Sequence, residues 1–267
     1  MIRSTTFKTV KFAALAATAL VAIGTAGAAQ AQTAEAAPAA PISVPTAPAA
    51  AAPVEETPFL SFTGNATFVT DYRWRGVSLS DNDIAVQGGI TATTSPGFFI
   101  GLWGSSIAPY GGATTEIDIS GGWSKTFGGI TPTVGIIGYL YPGGSNVDFW
   151  ELYGSLGFAL GPIGFTTGIN FAPNQDNIGG GDNTYIFIAP SFAIPGVPIT
   201  LKGNLGYETG AIAAALGTGH DNKVDYMIGA DFKYKMLTFG AQWVGNNRSS
   251  FGGILGDTFL VTLGASF

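Results

Sequence analysis

The chain contains no cysteine and a single histidine, His220. The first absence excludes disulfide scaffolds, thiolate metal sites, cysteine nucleophiles and lipid attachment through an N-terminal cysteine. The second leaves almost no room for histidine-based catalysis or metal binding. Charge is scarce as well. Only 10% of the 267 residues are charged, with 11 Lys and Arg against 17 Asp and Glu for a net charge of −6. The isoelectric point near 4.6 removes the basic face that phosphate contacts require, so nucleic acid is excluded as a partner. What remains is aromatic (12%) and rich in glycine, with 40 residues, and mean hydropathy is +0.32. Such a composition excludes a disordered chain. Apolar character combined with so much glycine is the feature to explain.

Three regions follow one another. Arg3, Lys8 and Lys11 precede an Ala-rich apolar run from Phe12 to about Gly27, and Ala29-Gln30-Ala31 forms a small-x-small site. This layout predicts a secretory signal peptide over 1–31, cleaved near Ala31. Its removal leaves 8 basic against 17 acidic residues, or −9. Residues 32–58 are mostly Ala, Pro, Thr and Val, with Pro38, Pro41, Pro45, Pro48, Pro53 and Pro58, which predicts a disordered, PPII-leaning linker. Residues 59–267 form the third region.

Long uncharged stretches in that region (126–147, 152–175 and 183–201) would suit membrane helices by length, but glycine and proline interrupt each of them. Period two fits instead. Phe62, Ala66, Phe68, Tyr72 and Trp74 alternate with Thr63, Asn65, Thr67, Asp71, Arg73 and Arg75, and the same split recurs to the end of the chain. Twelve segments are expected, at about 60–73, 83–94, 97–106, 115–127, 130–141, 147–160, 163–172, 183–193, 197–208, 223–235, 236–245 and 256–267. Each approximates the length of a tilted membrane-crossing strand. Short connections alternate with longer ones, including 77–82, 107–114 and 209–222. An all-β, up-and-down antiparallel transmembrane barrel follows, with aromatics such as Phe62, Tyr72, Tyr234, Trp243 and Phe259 as interfacial girdles. The terminal alternating strand ends at Phe267, a pattern resembling the signal read by barrel-assembly machinery. Outer-membrane lipid, that machinery and small solutes are the partners expected.

The opposite parity would line the interior. It carries Asp71, Arg73, Arg75, Glu116, Asp118, Glu151, Lys202, Glu208, Asp225, Asp231 and Lys233, together with Trp103, Tyr139, Tyr153 and Tyr185. These charges are either a selectivity filter or internal ion pairs bracing the wall. The aromatics fill a narrow lumen or form a stacking track. His220 lies in Gly217-Thr218-Gly219-His220-Asp221-Asn222 with nothing to orient it, and Gly179-Gly180-Gly181-Asp182 lacks a phosphate or calcium motif around it. No catalytic residue, metal or cofactor is expected.

Thr70-Asp71-Tyr72-Arg73-Trp74-Arg75-Gly76-Val77-Ser78, followed by Ile84-Ala85-Val86-Gln87-Gly88-Gly89 and by Gly97-Phe98-Phe99-Ile100-Gly101-Leu102-Trp103-Gly104-Ser105, resembles the TorF family of proteobacterial outer-membrane porins. Thr70 replaces the family's usual Ser, and Ile84 its frequent Pro. The resemblance implies an outer-membrane barrel with a pore and supplies no substrate. The expectation is therefore a non-enzymatic porin passing small hydrophilic solutes through a narrow lumen, with weak cation preference from its acidic excess. The alternatives are a plugged binding barrel that presents its outer loops, and a barrel hydrolase using His220.

Overall fold

The computed structural model describes residues 59–267; the leader and linker expected over 1–58 lie outside the described residues. Twelve strands close into one antiparallel barrel. In chain order they are β1 (Leu60–Val69), β4 (Ala85–Thr94), β5 (Phe98–Tyr110), β6 (Ala113–Ser124), β7 (Thr131–Leu140), β8 (Phe149–Leu160), β9 (Ile163–Gln175), β10 (Gly181–Ala193), β11 (Ile199–Gly210), β12 (Asn222–Tyr234), β13 (Leu237–Asn246) and β14 (Thr258–Ser266). A separate two-stranded hairpin, β2 (Arg73–Trp74) and β3 (Val77–Ser78), interrupts the run between β1 and β4. One short helix, α1 (Ala211–Ala215), follows β11. The barrel strands span nine to thirteen residues, enough to cross a hydrocarbon layer at a tilt.

Closure satisfies the backbone at both edges. β1 pairs with β14 in the register Asn65↔Ser266 to Val69↔Thr262. Gly64 and Phe267 then exchange two hydrogen bonds, at 2.7 and 2.9 Å. A Cβ on Gly64 would lie 2.6 Å from the Phe267 ring, so that ring lies flat across the seam. All twelve expected strands are present, and within the observed strands the parity is as expected; the first stops at Val69, short of the expected residue 73. Phe62, Ile90, Ile100, Leu152, Leu205, Ile228 and Val261 stand exposed on the outer wall, while Glu116, Glu151 and Glu208 are sealed inside.

The two ends differ. One carries connections of 161–162 and 235–236, besides 95–97, 125–130 and 194–198. The other carries 70–84, 141–148, 176–180, 211–221 and 247–257. Here one expectation fails. The connection expected over 107–114 is a two-residue turn, Gly111-Gly112, both at positive φ (57° and 106°), because β5 and β6 pair as far as Tyr110↔Ala113.

The interior glycines have a specific task. Gly89 is paired with Trp103, Gly122 with Phe99, Gly135 with Tyr153 and Gly168 with Phe187. A Cβ at each glycine would fall 2.6 to 3.0 Å from that ring. Each ring therefore lies down on the neighbouring strand where a side chain is missing. This flattens large aromatics against the wall.

Candidate functional site

The 70–84 connection turns into the barrel. Strand β1 stops at Val69, and from Asp71 to Ser80 the chain is buried, with only Arg73 partly exposed. Tyr72 (5% exposed) and Trp74 (1%) are thus interior residues, which corrects their expected place on the outer apolar face. Asp71, Arg73 and Arg75 correspondingly do not line the barrel wall. The reason lies in a tight turn. Arg75 (φ 42°) and Gly76 (φ 77°) both adopt the left-handed region, the geometry of a two-residue hairpin loop that pairs Trp74 with Val77. Gly76 has no alternative, since a Cβ there would sit 2.5 Å from the Gly245 carbonyl oxygen of β13.

Side chains lock the base of this loop. The Asp71 carboxylate accepts from Arg73 Nε at 2.5 Å and from Ser78 Oγ at 2.6 Å. Arg73 also donates to the carbonyls of Gly256 (2.6 Å) and Ile254 (3.2 Å) and to Asn82 Oδ1 (2.6 Å). It ties the loop to the 247–257 connection rather than standing free at the mouth.

The tip reaches the far wall. Arg75 Nη2 donates to both carboxylate oxygens of Glu151 on β8, at 3.0 and 2.8 Å. Its Nη1 donates to Glu208 on β11 at 2.5 Å. The guanidinium carbon lies 4.2 Å from the centroids of both the Trp74 and Tyr185 rings. The wall orients the two acids. Glu151 accepts from Asn170 on β9 (3.0 Å) and from the Tyr139 hydroxyl on β7 (3.3 Å). Glu208 accepts from Asn183 on β10 (3.1 Å) and pairs with Lys223 on β12 (3.1 Å). Lys223 Nζ also donates to the Arg75 carbonyl at 2.5 Å, and Asn246 to that of Gly76 at 2.7 Å. Side chains of Arg75, Glu151, Glu208 and Lys223 are at most 1% exposed. Burial alone would lower the guanidinium's pKa, but the Glu151 and Glu208 carboxylates outweigh it and hold Arg75 above its ordinary value. Asp225 accepts from the Tyr185 hydroxyl at 3.1 Å and completes this group.

A second buried group flanks the loop. Glu116, Asp118 and Ser120 follow one another along the inner face of β6. Glu116 lies among Asp118 and the hydroxyls of Tyr72 and Tyr141. Tyr72 packs on Trp103 with ring centroids 5.6 Å apart. Burial, reinforced by Glu116 and Asp118, raises the Tyr72 and Tyr141 phenols well above their ordinary value.

Towards the end with short turns the interior opens. Lys202 and Asp231 form a partly exposed pair at 2.7 Å, and Lys233 is exposed below them. Around them stand half-buried Thr63, Thr91, Thr133, Thr166, Asn204, Tyr153 and Phe187. The charges expected along one continuous lining are therefore split. Glu116, Asp118, Glu151, Glu208 and Asp225 are sealed with the loop, while Lys202, Asp231 and Lys233 face the open half. Trp103, Tyr139 and Tyr185 are buried beside the loop, whereas Tyr153 faces open space.

Sequence reasoning missed Lys223, Trp74 and the amides Asn170, Asn183 and Asn246. Lys223 shares the inward parity of Asp225, and Gly76, which permits a sharp turn, was the available signal for the hairpin. His220 is exposed in the 211–221 connection. Among the described residues, no cluster of three or more His, Asp or Glu side chains is placed to hold a metal ion.

The architecture has solved counterparts. The NanC porin superposes with a TM-score of 0.52 at 10% sequence identity, covering 78% of this chain and 99% of that one. The KdgM porin gives 0.51 at 8% identity, covering 77% and 98%. At such identities the likeness concerns the fold. No curated protein sequence matches the chain. A sequence family described as a bacterial protein of unknown function (Gcw_chp) matches residues 52–267, and the chain belongs to it.

Proposed function

We propose that this protein is an outer-membrane channel for small hydrophilic solutes whose passage is controlled by the inward-folded 70–84 loop. The observation that carries this reading is the division of the interior. The strands enclose a polar interior with rings laid flat on glycines, and a loop fills its sealed half. A loop can move where a wall of interlocking side chains cannot. On this reading the exposed apolar wall meets lipid, and the end with long connections faces outward. The resemblance of Thr70–Ser105 to TorF porins points the same way. Passage would involve no bond chemistry.

The accessible half carries Lys202, Asp231 and Lys233, one positive charge in excess, set among hydroxyls and amides. With the loop in place, weakly anionic or uncharged solutes are favoured over cations, because the carboxylates are paired beneath the loop. Weak cation preference, argued from the acidic total, then belongs only to a state in which the loop has left.

A second reading is supported by the depth of burial around Trp74, Tyr139, Glu116 and Asp118, each 0–1% exposed: a barrel that remains shut and works through its outer loops. Swelling of liposomes containing the refolded chain, driven by neutral sugars of increasing size, separates the two. Size-dependent swelling supports the channel. Swelling no faster than in empty liposomes at every size supports the closed barrel.

A further inference from the structure

The cradle that holds Arg75 is almost entirely a property of the barrel wall. Glu151 comes from β8, Asn170 from β9, Asn183 and Tyr185 from β10, Glu208 from β11 and Lys223 from β12. Each carboxylate is fixed by a wall partner independent of the loop: Glu151 by Asn170 and Tyr139, Glu208 by Asn183 and Lys223. The loop contributes the guanidinium, the Trp74 ring above it and the Arg75 carbonyl that accepts from Lys223. We infer that this wall surface is a binding site for solutes bearing a guanidinium group, and that Arg75 occupies it as a tethered competitor.

The geometry selects this chemistry over other cations. Two carboxylates engage the two terminal nitrogens of one planar group, and aromatic rings lie 4.2 Å from its centre on Trp74 and Tyr185. A flat cation with directed N–H donors meets the three wall contacts, Glu151, Glu208 and Tyr185, and also the Trp74 ring while the loop stays in place. A compact ammonium ion cannot reach both acids in plane or stack on the rings, and its tighter hydration shell opposes entry. Wall acids (Glu151, Glu208, Asp225) outnumber the single wall base (Lys223), so removing the Arg75 side chain leaves a buried site in need of a cation. Binding to this site does not depend on the channel reading. Its consequence, that guanidinium solutes displace the loop and then pass, rests on that reading.

The test uses the full chain refolded in detergent, carrying Arg75→Ala, titrated calorimetrically with methylguanidinium chloride and separately with methylammonium chloride. The expected result is saturable methylguanidinium binding to Arg75→Ala, at least about tenfold tighter than methylammonium. Wild type, where Arg75 competes, and the Arg75→Ala/Glu151→Gln/Glu208→Gln variant should both bind at least about tenfold more weakly. A folded Arg75→Ala barrel that does not distinguish the two cations overturns the inference. If Arg75→Ala folds poorly, methylguanidinium in the refolding buffer should raise the yield of the heat-modifiable species where methylammonium does not. Equal yields overturn the inference too. Variants that bind but never conduct in a bilayer would retire the channel reading and leave the site standing.

Discussion

Arg75 and Glu208, 133 positions apart in sequence, meet at 2.5 Å inside the barrel with neither side chain more than 1% exposed. The contact joins the tip of the first long connection to the opposite wall. It is also what makes an unusual backbone tolerable, because Arg75 is not a glycine and yet adopts φ 42°. A strained turn, a buried cation and two oriented carboxylates form one unit.

Breaking that unit should release the loop. The cysteine-free background allows Val77→Cys, which is fully buried at the loop tip, to report exposure by its thiol-labelling rate. Glu208→Gln leaves Arg75 short of a partner and should cost the loop-held state about 3 kcal/mol, as does one-sided removal of other buried pairs. Labelling should accelerate roughly a hundredfold. Arg75→Ala should have a similar effect, and the double variant should add little to either single one.

Alkaline pH should release it too, with a sign fixed by the tyrosines. The Tyr72 and Tyr141 phenols are raised above their ordinary value by burial and by the acids beside them. A raised folded-state pKa leaves stability intact below the unfolded value, about 10, and removes it as pH climbs towards the folded value. Val77→Cys labelling, expressed relative to the rate of a free thiol at the same pH, should be flat from neutrality to about pH 9 and should rise above about pH 10. Tyr72→Phe should blunt that rise.

The pairing of glycine with rings predicts a narrowing without unfolding. Gly135→Ala places a methyl group 2.6 Å from the tip of the Tyr153 ring and 2.7 Å from the Gly121 carbonyl oxygen. The ring must swing away from the wall into the open half. Liposome swelling should then slow for larger sugars, at a stability cost of about 1–3 kcal/mol. Adding Tyr153→Ala should restore the swelling rate but only part of the stability.

Lys202 and Asp231 make a partly exposed pair in the open half, at 19% and 27% side-chain exposure. Asp231→Asn should change stability by less than about 1 kcal/mol. It should shift reversal potentials towards anions, because Lys202 and Lys233 are then unopposed. An unchanged reversal potential would remove this half of the lumen from the solute path.

The barrel was legible in the sequence because one face of each strand is apolar and the other polar. Phe62, Ala66 and Phe68 against Thr63, Asn65 and Thr67 already announce the two surfaces. The loop was not legible for the same reason. Tyr72 and Trp74 against Asp71, Arg73 and Arg75 continue that alternation without a break, so period two extends the strand to residue 73 and puts both rings outside. Nothing local distinguishes lipid from the inside of a filled barrel as the destination of an apolar side chain. Only Gly76, just past the end of that expected strand, marks a sharp turn. The pairing of Arg75 with Glu151 and Glu208 depends on barrel closure, and spacing in sequence carries no trace of it. The glycine content, by contrast, becomes intelligible at particular positions: Gly135 and Gly168 are small because Tyr153 and Phe187 lie on them.

Single-channel recording in planar bilayers tests the central claim most directly, comparing the wild-type chain with Arg75→Ala in the same salt. If the inserted loop limits passage through the barrel, wild type should show small or infrequent openings. Arg75→Ala should conduct several times more, with selectivity shifted towards cations as Glu151 and Glu208 lose their partner. Identical conductance and selectivity in the two proteins, or silence in both, would contradict it.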